Sequence, residues 1–269
     1  MENSREPWRV RSVMKAMGVL EMFSPTQPEM SLAQMAQKLN MPKSTLLNLL
    51  KTLEGEGYLL HERDSQTYRL GYRVLQLGYN VRSSMPIIQY AIPFMEDLLS
   101  RTGETVYLTS HMNGQVLYLD GAYNSRRFGK YSITGKTLPM HCTGCGKAML
   151  SQMTEEEVRR IIDRWGLKRF TPNTITDPEE LLAQLALSRE RGYAIDNEEE
   201  TLGVRCVATV IRNSDGRPVG AVSIQGTTMS MTDDCIREYA GLIASVSMIL
   251  SEHAHLFPAD QLSRGRVNF

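Results

Sequence analysis

The chain has 269 residues, 42 % of them hydrophobic, with 30 Lys and Arg set against 30 Asp and Glu. That length accommodates two domains, each with its own core, and the four cysteines are too few for a disulfide scaffold and suit a reducing compartment. No apolar run approaches the roughly 20 residues of a membrane helix, and the N-terminus has no signal-peptide core. The expectation is a cytoplasmic protein with no membrane partner. Residues 1–84 carry 11 Lys and Arg against 8 Asp and Glu, and residues 85–269 carry 19 against 22. The mild basic excess therefore sits in the N-terminal part, with the sign that a phosphate-binding surface requires.

Residues 1–8 have little pattern and read as an arm, followed by Arg9 and Arg11, which with Arg5 make a basic approach to a first helix over 13–23. Ser31 with Gln34 three residues later is a capping-box start, and Leu32, Met35, Ala36 and Leu39 put apolar groups on one helical face. Asn40 ends that helix. Pro42 suits the first position of the next, where its missing N–H has no partner to lose. Leu46, Leu49, Leu50 and Leu53 then fall at i, i+3, i+4 and i+7, a single buried stripe. Lys43, Ser44, Thr45, Leu47, Asn48 and Lys51 are left facing outward. Such a short polar and basic face is what a helix needs to enter a DNA major groove: lysine meets phosphate or guanine, asparagine can bond adenine, and leucine can contact a thymine methyl. Two short strands at 58–61 and 67–70, joined by a polar turn, add a hairpin wing whose Arg63, Tyr68 and Arg69 support contact with the DNA backbone. The expected unit is a winged helix-turn-helix over 9–71.

Residues 72–84 read as a linker helix with Leu75, Gly78, Tyr79 and Arg82 on one face, before Pro86 restarts the chain. Helical spacing resumes over 87–100. The period then changes to that of strands: 105–109 and 116–119 flank Asn113-Gly114, the strongest short hairpin signal. An antiparallel sheet begins here, continuing with a strand over 128–133. The loop 135–143 opens into Gly144-Cys145-Gly146-Lys147-Ala148-Met149-Leu150. Thr154 with Glu157 caps a helix through Trp165, and Asp177-Pro178 starts one reaching Arg191. Strands follow at 193–196, 206–211 and 219–225, then a last amphipathic helix from Thr232 or Asp233 to about Glu252, then a polar tail over 253–269. The fold class is α+β, with 85–252 as a second domain.

Three motifs, taken together and in order, resemble the IclR family of bacterial transcriptional regulators over residues 9–252. They are PKSTLLNLLKTLEGEGYL in the second helix and wing, LPMHCTGCGKAML in the middle, and RGYAIDNEEETLGVRCVATVI followed by GAVSIQG. The resemblance implies a C-terminal domain with a GAF-like curved antiparallel sheet flanked by helices, and a homo-oligomer, dimer or tetramer, bound to a palindromic double-stranded operator. It also implies an effector pocket formed by Leu138, Gly144, Cys145, Asp196, Cys206, Ser223 and Gln225. Cys145 and Gln225 depart from the family pattern, which often has a small residue and a serine there, so effector identity does not carry over. FTPNTITDPEELL and the DNEEE run are similar to the family's regulators of sugar acids (2-keto-3-deoxygluconate).

The physics of the Gly144 turn points the same way: a helix start offers N–H donors and the positive end of a dipole to an anion, for roughly 0.3–2 kcal/mol. A small organic acid is the expected ligand. Asp196, if ionised, repels its carboxylate and is better used to accept a hydrogen bond from a ligand hydroxyl. Together with the resemblance, this implies a ligand-responsive repressor of a catabolic operon, with no cofactor expected.

Competing signals are weaker. Gly146-Lys147 and Gly135-Lys136-Thr137 lack the upstream glycine of a phosphate loop, since positions 141 and 130 are His and Lys. His141, Cys142 and Cys145, with Cys206, leave a thiol- or metal-responsive regulator as the alternative, although a structural zinc usually draws on a second Cys or His cluster. No catalytic motif is present, and Cys206 with His141 is the only nucleophile and base pair to nominate. Glu198-Glu199-Glu200 reads as a solvated loop, with the orienting of pocket groups by some of these carboxylates as the alternative.

Overall fold

The computed structural model describes residues 10–124 and 133–257. They divide into two units, one ending at Val81 and the other beginning at Arg82. The arm over 1–8, most of the strand expected over 128–133, and the tail beyond 257 lie outside the described residues. Among the described residues no helix is long and apolar enough to cross a membrane.

In the first unit, α1 (Arg11–Leu20) is followed by β1 (Met30–Ser31), α2 (Leu32–Lys38) and α3 (Lys43–Gly55). The capping box at the start of α2 is formed on both sides: Gln34 N donates to Ser31 Oγ at 3.3 Å and Ser31 N donates to Gln34 Oε1 at 2.8 Å. Asn40 turns the chain with φ 47°, a left-handed conformation that asparagine tolerates. Pro42 occupies the N-cap of α3, one position earlier than the spacing predicts. Leu46, Leu50 and Leu53 are buried against Val19, Met35 and Leu59, while Leu49 is only half-buried.

The wing is β2 (Leu59–Glu62) and β3 (Thr67–Leu70). It has a third strand that the sequence reading missed: β1 pairs with β3, Met30 opposite Tyr68, giving the order β1-β3-β2. Two residues are too few to carry an alternation. This pairing also corrects the expectation for Tyr68, whose ring turns into the core, 5 % exposed and stacked on His61 with centroids 4.3 Å apart. Burying the ring gains apolar contact area that a backbone-contacting position on the wing would forgo.

The linker is α4 (Tyr72–Ser83), none of whose residues is buried. The second unit then builds one six-stranded antiparallel sheet in the order β6-β5-β4-β9-β8-β7. Its strands are β4 (Thr105–Met112), β5 (Gln115–Ala122), β6 (Thr137–Pro139), β7 (Ala194–Asn197), β8 (Val204–Arg212) and β9 (Pro218–Thr227). Alternation along each strand sends side chains to two different cores. Val106, Leu108, Val207, Val222 and Ile224 meet α5 (Pro86–Thr102) and α9 (Asp233–Glu252) on one face. Tyr107, Tyr118, Ala208 and Ala221 meet α6 (Gly144–Leu150), α7 (Glu155–Trp165) and α8 (Pro178–Arg191) on the other. Strand β6, short and embedded in what reads as a loop, pairs Leu138 with Val116.

Candidate effector site and nucleic-acid interface

On α3, Lys43, Ser44, Thr45, Asn48 and Lys51 are exposed on the side away from the leucine stripe, and Leu47 is half-buried. Arg63 is exposed in the wing turn. Arg69 is not free, because its guanidinium pairs with Glu62 at 2.9 Å. Of the three wing residues expected at the DNA backbone, Arg63 alone presents an unpaired, exposed charge among the described residues.

The second cluster is built by strand register. Asp196 lies opposite Cys206, and Cys206 opposite Gln225, in one row across β7, β8 and β9; the next row sets Ala208 beside Ser223 and Ser223 beside Tyr107. All of these project toward α6. That helix can lie down on the strands because its first residue is glycine: a Cβ on Gly144 would overlap the Cys206 sulfur, and one on Gly146 would overlap the Met140 backbone. The register thus brings Asp196, Cys206, Ser223 and Gln225 under Gly144 and Cys145, while Leu138 belongs to the surrounding apolar cluster.

The start of α6 is less open to an anion than the glycines suggest. Gly146 N–H donates to Thr143 Oγ1 at 3.2 Å, and Gly144 packs closely against the Cys206 sulfur. The donors are partly used because α6 is buried along its whole length, where a free N–H is costly.

Burial dominates the electrostatics of the cluster. It pushes the Asp196 carboxyl up to about 7, although Glu199 N donates to Asp196 Oδ1 at 2.8 Å and favours the ionised form. The thiols of Cys142, Cys145 and Cys206 are all raised by burial and so stay protonated at neutral pH, the opposite of what a reactive or metal-binding thiol needs. Among the described residues no group of three His, Cys, Asp or Glu side chains is arranged to hold a metal ion. The thiol- or metal-responsive alternative therefore finds no support. His141 is also committed, its Nε2–H donating to Lys168 O at 3.0 Å, and burial lowers its pKa.

Tyr107, Tyr118 and Lys147 of this cluster carry no role in the sequence reading, and Glu199 only that of one carboxylate among three. Tyr107 and Tyr118 set their rings edge to face, 5.3 Å apart, beside Cys145 and Cys206. Lys147 and Glu199, 3 % and 4 % exposed, form an ion pair that ties α6 to the loop after β7. Glu199 therefore departs from the solvated-loop reading: Thr171 and Thr174 hydroxyls cap its carbonyl, and its Oε2 is buried with no hydrogen-bond partner among the described residues. The tyrosines were detectable from strand alternation, which puts Tyr107 on the same face as Thr105 and Thr109. Nothing in the sequence links positions 147 and 199.

The comparisons agree with this architecture. Residues 12–63 match the IclR helix-turn-helix domain, and residues 79–252 match the family described as bacterial transcriptional regulator IclR C-terminal. The chain is 32 % identical over 251 residues to the HTH-type transcriptional regulator KdgR of Dickeya chrysanthemi, covering 92 % of this chain and 81 % of that one. It is 31 % identical over 237 residues to the acetate operon repressor of Salmonella typhimurium, covering 87 % and 86 %. The crystal structure of the Thermotoga maritima IclR aligns with a TM-score of 0.69 at 31 % identity, over 90 % of this chain and 98 % of that one. The chain thus belongs to the IclR family of bacterial transcriptional regulators, and is a DNA-binding regulator rather than an enzyme.

Proposed function

We propose that the protein is a cytoplasmic, ligand-responsive repressor of a catabolic operon, working as a homodimer or a dimer of dimers and sensing a small organic acid of the sugar-acid kind. Residues 9–71 read the operator, 72–84 transmit, and 85–252 hold the effector. The reading rests above all on Asp196. It is a carboxyl 5 % exposed, lying beside the start of α6 with Cys206, Ser223 and Gln225 on the neighbouring strands, where an ionisable group is costly to bury. With its proton retained, Asp196 donates a hydrogen bond to the effector carboxylate instead of repelling it. The unpartnered Glu199 Oε2 calls for a donor, which a hydroxyl of a sugar acid supplies. The relatives named for repression support the sign of regulation.

The test is operator binding with the purified protein against a panel of sugar acids, simple keto acids and uncharged aromatics, repeated with Asp196→Ala, which removes the donor. The expected result is release of the operator by one or more of the acids, with the response weakened at least tenfold in the variant. Release by the uncharged aromatics alone would reverse the assignment of the ligand class.

A further inference from the structure

A crevice of about 450 Å³ runs between α1 and α3, with Leu49 as its floor, Arg11 and Lys15 on one wall and Thr45, Asn48 and Thr52 on the other. We propose that this crevice seats a backbone phosphate of the bound duplex, with Arg11 and Lys15 as its cationic wall. The inference rests on the DNA-reading role of α3 and adds two residues of α1 to it.

Three observations carry it. Arg11 and Lys15 stand at i and i+4 on α1, so two like charges share one face, an arrangement that disfavours the isolated helix and calls for an anion from outside. Both are exposed, and neither has an ion-pair partner among the described residues. The walls also hold no acidic side chain: none occurs between Val10 and Leu20 or between Lys43 and Leu53, the nearest along the chain being Glu21 and Glu54. A crevice of one sign, bounded by low-dielectric protein, concentrates the attraction it offers.

The chemistry of the walls selects phosphate over a base edge. An arginine fork and a lysine point charge suit a tetrahedral anion. Thr45 adds an exposed hydroxyl, whereas Thr52 spends its own on the Asn48 carbonyl at 2.9 Å. Asn48, with a planar amide able to bond adenine, stands on the same wall as Thr45. A recognition helix seated in the groove has a phosphate strand along its flank, and α1 supplies the flank here.

The experiment measures affinity for an operator fragment and for an unrelated duplex as a function of salt. It compares wild type, Arg11→Gln with Lys15→Gln, the charge-preserving pair Arg11→Lys with Lys15→Arg, and Asn48→Ala. Each phosphate contact contributes about 0.9 to the slope of log affinity against log salt. Loss of both charges empties one phosphate seat per copy and is expected to lower the slope by about 0.9 for each copy bound, on both duplexes, leaving the preference between them intact. The charge-preserving pair keeps the wild-type slope, and Asn48→Ala keeps the slope while losing preference at one base. Millimolar inorganic phosphate is expected not to displace the operator beyond its effect as salt, because a single free anion lacks the neighbouring contacts. A slope unchanged in the charge-removed pair, while operator preference persists, overturns the phosphate seat alone. Wild-type protein that binds no duplex at all removes the DNA-reading role of α3 and the seat with it.

Discussion

Asp196 is a residue whose chemistry the fold alters within the physiological range. Its carboxyl holds a proton up to about pH 7, whereas in the unfolded chain an aspartate titrates near ~4. The folded state therefore binds this proton more tightly. Its contribution to stability is complete below pH ~4 and is lost as pH rises through about 7. Asp196→Asn keeps an acceptor for Glu199 N and removes the titration. Relative to that variant, the wild type should lose stability between pH 5 and pH 8, by an amount of the order of a few kcal/mol. Denaturant unfolding of both proteins at the two pH values measures it, and parallel curves would refute the buried-proton picture. Lys147 and Glu199 make a different prediction. Their pair is nearly inaccessible to water, so removing one charge strands the other; Lys147→Met should cost about 3–5 kcal/mol. The double change Lys147→Met with Glu199→Gln should recover most of that loss, since the neutral amide keeps an oxygen that accepts from Asn197 N–H as the carboxylate does. A double-mutant cycle in urea that includes Glu199→Gln alone reads the difference, and a double variant whose cost equals the sum of the two single costs would exclude a coupled pair.

At the scale of the element, helices and hairpins whose information is local were legible in the sequence. The α2–α3 turn announced itself through a cap, a left-handed Asn40 and a leucine repeat. The hairpin between β4 and β5 did so through Asn113 and Gly114, which adopt φ 53° and 81° as a primed turn demands. The two-residue β1 was not legible, because pairing with β3 is decided far downstream, where Met30 meets Tyr68. The Lys147–Glu199 pair escaped for the same reason: it joins residues 52 apart that neither periodicity nor spacing connects. The position of Asp196 in the site followed from the family resemblance, and its protonation only from the burial that the fold imposes. The linker α4 raises a further point. Tyr72, Leu75 and Tyr79, spaced i, i+3 and i+7, are 70 %, 72 % and 68 % exposed, on a helix with no buried residue. A helix of this length is marginal in water without tertiary cover, and an apolar stripe of this kind is suited to a second copy of itself. Leu75→Asp with Tyr79→Asp should reduce the mass measured by light scattering on a sizing column toward that of a single chain. An unchanged mass at equal concentration would place the contact between copies elsewhere.

For the molecule as a whole, the proposed effector and operator sites lie in different units, and regulation requires only that each ligand prefer one of two states. A coupling of about 1–3 kcal/mol changes operator affinity by roughly 5- to 150-fold, small beside the cost of breaking the Lys147–Glu199 pair. The tie between α6 and the loop after β7 can therefore stay intact while the state of the linker changes. Linkage then fixes a relation that no single contact can: whatever factor the effector takes from operator affinity, the operator must take from effector affinity. Titrating the acid by calorimetry into free protein and into protein saturated with a two-half-site duplex, with half-sites one turn or ~34 Å apart, gives one factor. Anisotropy of labelled duplex with and without saturating acid gives the other. The two should agree within error for the wild type, and both should approach one in Asp196→Ala if that carboxyl carries the differential contact. A wild-type protein whose operator affinity responds to the acid while its acid affinity ignores the operator would show that the acid acts outside this equilibrium, for instance on the assembly of copies, and the buried cluster would lose its claim to be the sensor.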